Sequence, residues 1–219
     1  MLVDAGQLSA DALVLDSDTE HHLRRVLRLR DGESVSVTDG AGRWLLASVR
    51  LAGSSLQLEP TSEVVVEVAS RDPFTIAVAM PKGDRLDWLV QKVTELGVDR
   101  IALLHADRSV VRWKPDRVDS QLARLQRIAD EACRQSRRVW RVEIDAPVDA
   151  SPLLTEMVVA EPGGRRIGPL DRSVAIGPEG GWSQDELDLA ADRVSLGANI
   201  LRTETAAVAV SALCVTFER

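Results

Sequence analysis

The chain has 219 residues, a length that suits one large or two modest domains, and we expect two. Hydrophobic residues make up 45% and charged residues 28%, the composition of a folded globular protein, which excludes a disordered, collagenous or fibrous chain. The net charge of −7 would argue against a nucleic-acid partner if it were evenly spread, but it is not.

The first seventy residues predict a small domain built mostly of strands. Short runs rich in Val and Leu predict strands at residues 12–15, 34–38, 44–51, 55–59 and 64–68, and glycine turns separate several of them. One helix is expected from about residue 19 to residue 29, with Asp18 as its N-cap. A small β-barrel or sandwich over residues 1–70 fits this spacing.

From residue 71 onward strands alternate with helices. Continuous apolar runs at residues 74–79, 101–104, 157–160 and 174–176 are typical of strands buried in a parallel sheet. Helices are expected at residues 84–96, 115–136 and 205–217, and another begins at Ser183, which forms a capping box with Glu186. Residues 161–169 hold two prolines and three glycines and predict a flexible loop. This alternation predicts an α/β domain with a mainly parallel sheet over residues 71–219.

Membrane, export and metal signals are weak. The longest nearly apolar run, residues 206–215, is far shorter than the roughly 18 residues that cross a bilayer. The first thirty residues lack the apolar core of a signal peptide, so we expect a cytoplasmic protein with no membrane partner. Cys133 and Cys214 have no metal-ligand spacing, and we expect two core residues, no disulfide framework and no metal.

Positive charge collects in the middle of the chain. Residues 71–150 hold 15 Lys and Arg against 13 Asp and Glu, whereas both flanking segments are acidic. A local arginine cluster can bind phosphates on an acidic protein, although a solvated helix face with ion pairs explains it equally well. Two such sets are candidate RNA-binding residues: Arg24, Arg25 and Arg28 on the first predicted helix, and Arg134, Arg137, Arg138 and Arg141.

Residues 176–183 form the strongest local motif, an apolar strand that runs through a glycine turn into a capped helix. Gly177, Gly180 and Gly181 allow a ligand to approach the backbone closely, and the helix that follows offers unpaired N–H groups. The segment has neither the spacing of a dinucleotide-binding loop nor the Lys-Ser/Thr of a P-loop. It therefore indicates a ligand loop of another kind, unless it is only a tight turn between strand and helix.

Two further motifs accompany this loop. Residues 195–206, Ser-Leu-Gly-Ala-Asn-Ile-Leu-Arg-Thr-Glu-Thr-Ala, form a polar loop before the last helix, and residues 92–98 read Lys-Val-Thr-Glu-Leu-Gly-Val. With residues 84–87, Glu131-Ala132 and residues 135–137, these ordered motifs span roughly residues 80–210. Together they resemble the bacterial small-subunit ribosomal RNA uridine-N3 methyltransferases of the SPOUT superfamily.

The resemblance implies an N-terminal PUA-like β-barrel and a SPOUT domain whose C-terminal segment forms a trefoil knot. It also implies a homodimer that acts on 16S ribosomal RNA or the small ribosomal subunit. S-adenosylmethionine is the implied cofactor, with no metal or nicotinamide. Carried over to this chain, its contacts are Ala160, Glu161, Gly177, Glu179, Gly180, Gly181, Leu196, Gly197, Ile200, Leu201, Thr205 and Ala206.

Methyl transfer to uridine N3 requires loss of the N3 proton, because a protonated imide nitrogen has no available lone pair. We expect the catalytic side chains to be Arg202, Glu204 and Glu179, the polar groups nearest the two loops. Arg202 would orient the uracil carbonyls or stabilise the uracil anion. Glu204 would remove the proton or hold Arg202, although it also suits the N-terminus of the last helix.

Two other functions fit parts of the pattern. A SPOUT methyltransferase acting on transfer-RNA ribose hydroxyls is one, but the glycine loop and residues 201–206 favour the uridine enzyme. A non-catalytic RNA-binding module is the other, and the intact glycines at 177, 180 and 181 argue against it.

Overall fold

The computed structural model of the chain describes residues 1–3, 8, 13, 15, 20, 23–24, 29–53 and 55–216. The chain divides into two compact units, Met1–Ser70 with Arg134–Arg141 and Arg71–Cys133 with Val142–Arg219. The arginine cluster at positions 134–141 therefore belongs to the N-terminal unit. The strand predicted at residues 12–15 and the helix predicted at residues 19–29 lie largely outside the described residues.

The described strands of the N-terminal unit form a four-stranded antiparallel sheet. They are β1 (Ser34–Thr38), β2 (Arg43–Ala52), β3 (Ser55–Pro60) and β4 (Val65–Val66), and β2 pairs with each of the other three. Leu45, Ala47 and Val49 alternate along β2 and are buried, as the period of two in a half-buried strand requires. The strands predicted at 34–38, 44–51 and 55–59 are confirmed, whereas the one at 64–68 is shorter than predicted.

Residues 139–141 pack beside this sheet, against Gly42. Gly42 has a φ of 86°, and a Cβ on it would lie 2.2 Å from the ring of Trp140. The Gly42 N–H donates to the carbonyl of Val139 at 3.0 Å, and the Arg141 N–H donates to the carbonyl of Gly40 at 2.8 Å. Only glycine allows both this conformation and this close approach.

The C-terminal unit contains a seven-stranded sheet in which every pairing is parallel. The order is β11-β9-β10-β5-β6-β7, and β8 also pairs with β6. The strands are β5 (Thr75–Ala79), β6 (Arg100–His105), β7 (Glu143–Ile144), β8 (Val148–Asp149), β9 (Val158–Arg166), β10 (Ser173–Ile176) and β11 (Asp192–Ser195). The predicted parallel α/β domain is confirmed.

Helices cover both faces of this sheet. They are α1 (Arg85–Glu95), α2 (Val118–Ser136), α3 (Ser151–Leu154), α4 (Gln184–Leu189) and α5 (Thr203–Thr216), with a 3-10 turn at Pro115–Arg117 before α2. On one face α1, α2 and α5 share a core with Ile76, Val78 and Leu103 of the sheet. On the other, Leu154 and Trp182 pack against Ala77 and Leu104. Three layers result, with the sheet buried in the middle.

The predicted helix ends follow from their capping groups. Gly97 has a φ of 101°, and the N–H groups of Gly97 and Val98 donate to the carbonyls of Thr94 and Val93, each at 3.1 Å. These are the two bonds of a Schellman motif, which ends α1 as predicted. The predicted capping box before α4 is also confirmed, with Ser183 and Glu186 bonded to each other's backbone N–H.

One prediction is wrong, because residues 161–169 do not form a loop throughout. Strand β9 continues to Arg166 and pairs with β11, with Val194 opposite Arg165 and a register shift between Arg193 and Val194. The shift and the positive φ of Gly163, 85°, let the strand absorb its glycines. A Cβ on Gly164 would lie 2.6 Å from the Arg193 backbone, so the glycine permits the pairing that composition alone argued against.

Both cysteines are free and buried, as predicted. Across the parts of the chain with described structure, no helix is both long and apolar enough to cross a bilayer.

Candidate functional site

The glycine loop after β10 and the polar loop after β11 meet at one cavity of about 400 Å³. Parallel strands run towards the same edge of a sheet, and β9 lies between β10 and β11, so the two loops close over the interior of β9, at Ala160 and Glu161. The predicted cofactor residues that line the cavity are Ala160, Glu161, Gly177, Glu179, Gly180, Gly181, Leu196, Gly197, Ile200, Leu201 and Ala206. Thr205 does not line it and is exposed on the first turn of α5.

The glycine loop is shaped by an indole ring packed beneath it. A Cβ on Gly177 would lie 3.0 Å from Trp182, and the Trp182 Nε1–H donates to the carbonyl of Ala160 at 3.3 Å. The Gly181 N–H donates to the carbonyl of Pro178 at 2.8 Å, and Gly181 has a φ of 70°. The turn is thus closed on its own backbone and seated on the adjacent strand.

The second loop is tied to the first by a side chain. The Thr203 hydroxyl at the start of α5 donates to the carbonyl of Gly177 at 2.9 Å. Leu196 and Leu201 are half-buried on the cavity wall, whereas Ile200 is 88% exposed. The cavity therefore has apolar walls of leucine and isoleucine beside a floor of glycine backbone.

Arg85 at the start of α1 joins both loops. Its guanidinium forms a hydrogen bond with Glu179 of the glycine loop, and its Nη1 lies 3.7 Å from Oε1 of Glu204 in α5. The hydrogen bond and charge of Arg85, and then the charges of Lys82 and Arg202, hold the pKa of Glu179 below its usual value. The Glu204 side chain is only 9% exposed, and its Oε2 has no hydrogen-bond partner among the described residues.

The three predicted catalytic side chains therefore occupy different surroundings. Glu179 lines the cavity and is half exposed. Glu204 does not line it and is buried beside Arg85 rather than paired with Arg202. Arg202 is exposed, and its side chain makes no hydrogen bond or ion pair with the part of the chain that the structure describes.

Sequence reasoning missed Arg108, Trp182 and Thr203, which also line the cavity. Arg108 follows β6, and its Nη1 donates to the carbonyl of Gly180 at 3.0 Å. A usable signal existed, because residues 107–109 are polar and directly follow a buried strand of the parallel sheet, at the edge where ligands bind.

The candidate RNA-binding arginines are placed in part. Arg25 and Arg28 lie outside the described residues, and Arg24 donates to the carbonyl of Gly53 at 3.1 Å. Arg137 follows the last residue of α2, is exposed, and has a φ of 58°. No group of three or more potential metal ligands occurs among the described side chains.

Comparison with known proteins agrees with this architecture. Residues 69–215 match the family model of an RNA methyltransferase domain, and residues 15–59 match that of an RNA methyltransferase PUA domain. Ribosomal RNA small subunit methyltransferase E of Mycobacterium bovis is 34% identical over 230 residues, which cover 94% of this chain and 87% of the relative. The protein of the same name from Synechocystis is 33% identical, with 94% of this chain and 73% of the relative covered.

Solved structures give the same result. A ribosomal RNA small subunit methyltransferase E from Neisseria gonorrhoeae, bound to S-adenosyl methionine, has a TM-score of 0.81 at 28% identity, covering 94% of this chain and 91% of that one. A putative methyltransferase from Legionella pneumophila, in complex with the same cofactor, has a TM-score of 0.79 at 27% identity and the same coverage.

Fold and sequence define an RNA methyltransferase with an N-terminal PUA domain and an α/β domain of the SPOUT type. The chain belongs to the ribosomal RNA small subunit methyltransferase E family, as its motifs predicted.

Proposed function

We propose that this protein transfers the methyl group of S-adenosylmethionine to N3 of a uridine in 16S ribosomal RNA. The observation that carries the proposal is the meeting of the two ligand loops at one cavity in the C-terminal unit. Relatives named for the ribosomal RNA small subunit support the substrate, and a related structure bound to S-adenosyl methionine supports the cofactor. We place the reaction in the cytoplasm, where bacterial ribosomal RNA is assembled.

The cavity suits S-adenosylmethionine in size and in chemistry. Its volume of about 400 Å³ lies within the range of small-molecule sites. Leu196, Ile200 and Leu201 offer apolar surface for the adenine faces, and the backbone of Gly177 and Gly197 can reach the adenine edge because neither glycine has a side chain. When bound there, the cofactor would supply an electrophilic methyl group on its sulfonium.

Glu179 is the carboxylate that we assign to the N3 proton. It borders the cavity, where it can reach a bound base, and it is ionised at neutral pH; the lowered pKa that Arg85 imposes makes it a weaker base than an ordinary glutamate, so the assignment rests on its position and not on its basicity. Glu204 is a positioning residue in this account, since it is buried and forms an ion pair with Arg85, and Arg85 in turn forms an ion pair with Glu179. Arg202, exposed and unpaired within the described chain, is free to bind the uracil carbonyls as negative charge develops on the base.

The role of Arg85 can be tested by titration. Arg85→Ala removes the largest cause of the lowered pKa of Glu179, so this pKa should rise towards its ordinary value of 4.5. Carbon-13 NMR of labelled glutamate measures this directly, and Arg50→Ala, which breaks an exposed ion pair with Glu59, is the control. An unchanged pKa of Glu179 in Arg85→Ala would contradict the role of Arg85 in holding that carboxylate.

RNA would bind the N-terminal PUA unit together with residues 134–141. The candidate RNA-binding arginines of this segment belong to the same compact unit as the antiparallel sheet, so they and that unit form one candidate RNA-binding surface. They are Arg134, Arg137, Arg138 and Arg141. Phosphate contacts supply most of the affinity of such a surface and make it depend on salt.

We also propose that the protein acts as a homodimer and that its C-terminal segment forms a trefoil knot. Helix α5 is apolar nearly throughout, with Leu213 still 41% exposed, and Ile200 beside the cavity is 88% exposed. A second subunit would cover both side chains. Light scattering at micromolar concentration should give twice the chain mass of 23.9 kDa, and a monomer mass would contradict the dimer.

Methylation in vitro tests the proposed reaction. Purified protein, small ribosomal subunits lacking the modification and S-adenosylmethionine with a labelled methyl group should yield labelled N3-methyluridine on nucleoside analysis. Label in a ribose-methylated nucleoside would favour the ribose-methyltransferase alternative, and no label in RNA would contradict the proposal.

A further inference from the structure

Arg108 is a basic side chain at the cavity, and the proposed reaction gives it no role. It lies in the loop that follows β6, lines the cavity and is exposed. One of its N–H groups is committed to the carbonyl of Gly180 at 3.0 Å. Because a guanidinium carries five N–H donors, most of its donor capacity remains available.

The loop that carries Arg108 is held rigidly. The Asp107 N–H donates to Glu186 Oε1 at 2.9 Å, and the Ser183 hydroxyl donates to Asp107 Oδ2 at 2.6 Å. Ser183 and Glu186 are the capping-box residues of α4, so the helix cap that follows the glycine loop also fixes the Arg108 loop. A basic group held in advance loses little conformational entropy when it binds a ligand.

The charges on the cavity wall make Arg108 distinctive. Among the lining residues it is the one cation, and Glu161 and Glu179 are the two carboxylates. Glu179 is already compensated by its hydrogen bond with Arg85. Arg108 is therefore the one place on this wall that favours the anionic oxygens of a ligand carrying both positive and negative groups.

We propose that Arg108 is an anion-binding residue of the cavity, pairing with a carboxylate or phosphate oxygen of a bound ligand. The proposal rests on the proposed function, because that function supplies both sources of such an oxygen. The first is the amino-acid carboxylate of S-adenosylmethionine, which a forked guanidinium can hold with two hydrogen bonds. The second is a phosphate of the RNA chain next to the target uridine.

The two sources are separated by a ligand that lacks the carboxylate. Calorimetry should compare S-adenosylmethionine with its decarboxylated form on the wild type, Arg108→Ala and Arg108→Lys. The matched control is Arg112→Ala, which removes an exposed arginine of the same connection, 3.9 Å from Asp149 and outside the cavity. Thermal unfolding of each variant separates loss of binding from loss of fold.

If Arg108 binds the carboxylate, the wild type should bind the decarboxylated compound about 10- to 100-fold more weakly than S-adenosylmethionine. Arg108→Ala should bind both compounds equally and weakly, and Arg108→Lys should recover part of the difference. If it binds an RNA phosphate, Arg108→Ala should keep the wild-type preference but lower RNA affinity and reduce the salt-dependence slope by about one.

Wild-type preference between the two compounds together with wild-type RNA affinity in folded Arg108→Ala would overturn the proposal. Failure of the wild type to bind either compound would instead contradict the proposed function, and the RNA measurement would then decide the role of Arg108 alone.

Discussion

Replacing Arg137 by glycine should stabilise the protein while weakening its RNA binding. Arg137 is the one non-glycine residue with positive φ in the described part of the chain, at 58°, where α2 ends. This left-handed conformation costs a residue with a Cβ about 1–2 kcal/mol. Glycine removes that cost but adds about 0.4–1 kcal/mol of unfolded-chain entropy. The side chain is exposed, so few packing contacts are lost.

The net effect of Arg137→Gly is a gain of about 0.5–1 kcal/mol, or about 1–4 °C in Tm for a chain of this size. If the side chain contacts a phosphate, the same change should lower RNA affinity and reduce the salt-dependence slope by about one. Calorimetric melting and RNA titrations at several salt concentrations measure the two effects separately.

Arg137→Ala is the matched control, because it keeps the strained φ and removes the charge. It should lose the same RNA affinity with no gain in Tm. A lower Tm for Arg137→Gly would refute the strain argument. Unchanged RNA affinity and salt slope in both variants would show that Arg137 is only a solvated side chain, and the same result with Arg137→Ala and Arg138→Ala combined would show that the cluster is only a solvated face.

Three further predictions concern the C-terminal unit. Gly180→Val should abolish binding of S-adenosylmethionine in calorimetry, because even a Cβ there lies 3.3 Å from Arg108. The control Gly168→Ala, whose Cβ would lie 3.9 Å from its nearest neighbour, should bind the cofactor normally. Equal cofactor affinities of the two variants would contradict the loop assignment. Arg202→Ala should methylate about a hundredfold more slowly in single-turnover assays while binding the cofactor almost normally, and a parallel loss of both would show a structural role. Arg165→Met should lower the free energy of unfolding by about 1–2 kcal/mol at neutral pH, because Arg165 bonds buried Asp171. The hydrogen bond from Arg165 lowers the pKa of Asp171 in the folded state, so its contribution exists above the ordinary pKa and disappears as pH falls through the lowered one. In urea unfolding, the difference in the free energy of unfolding between the wild type and Arg165→Met should therefore shrink as the pH falls. A difference that stays constant with pH would contradict this reasoning.

The sequence was informative where a local pattern determines the structure. The apolar periodicity of α1 and the glycine at its end predicted both its face and its last turn, since each depends on neighbours within a few residues. The glycine loop and the Ser183 capping box were predictable for the same reason. Strands β7 and β8 and helix α3 were missed, because two to four residues are too few to establish a period.

Features that depend on tertiary pairing were not predictable. Composition indicated a loop at residues 161–169, but pairing with β11 extends the strand. The contact of Arg85 with Glu179 joins residues 94 apart, and no local pattern marks Arg85 as the partner. Arg108 was missed because its loop has no glycine, so the feature that identified the other ligand loop was absent.

Mass spectrometry of 16S ribosomal RNA from cells with and without this protein tests the central claim most directly. The account predicts one uridine that carries a methyl group on N3 in wild-type cells and lacks it when the protein is removed. Restoring the wild-type chain should restore the methyl group, and restoring the Gly180→Val variant should not. An RNA methylation pattern identical in cells with and without the protein would contradict the account.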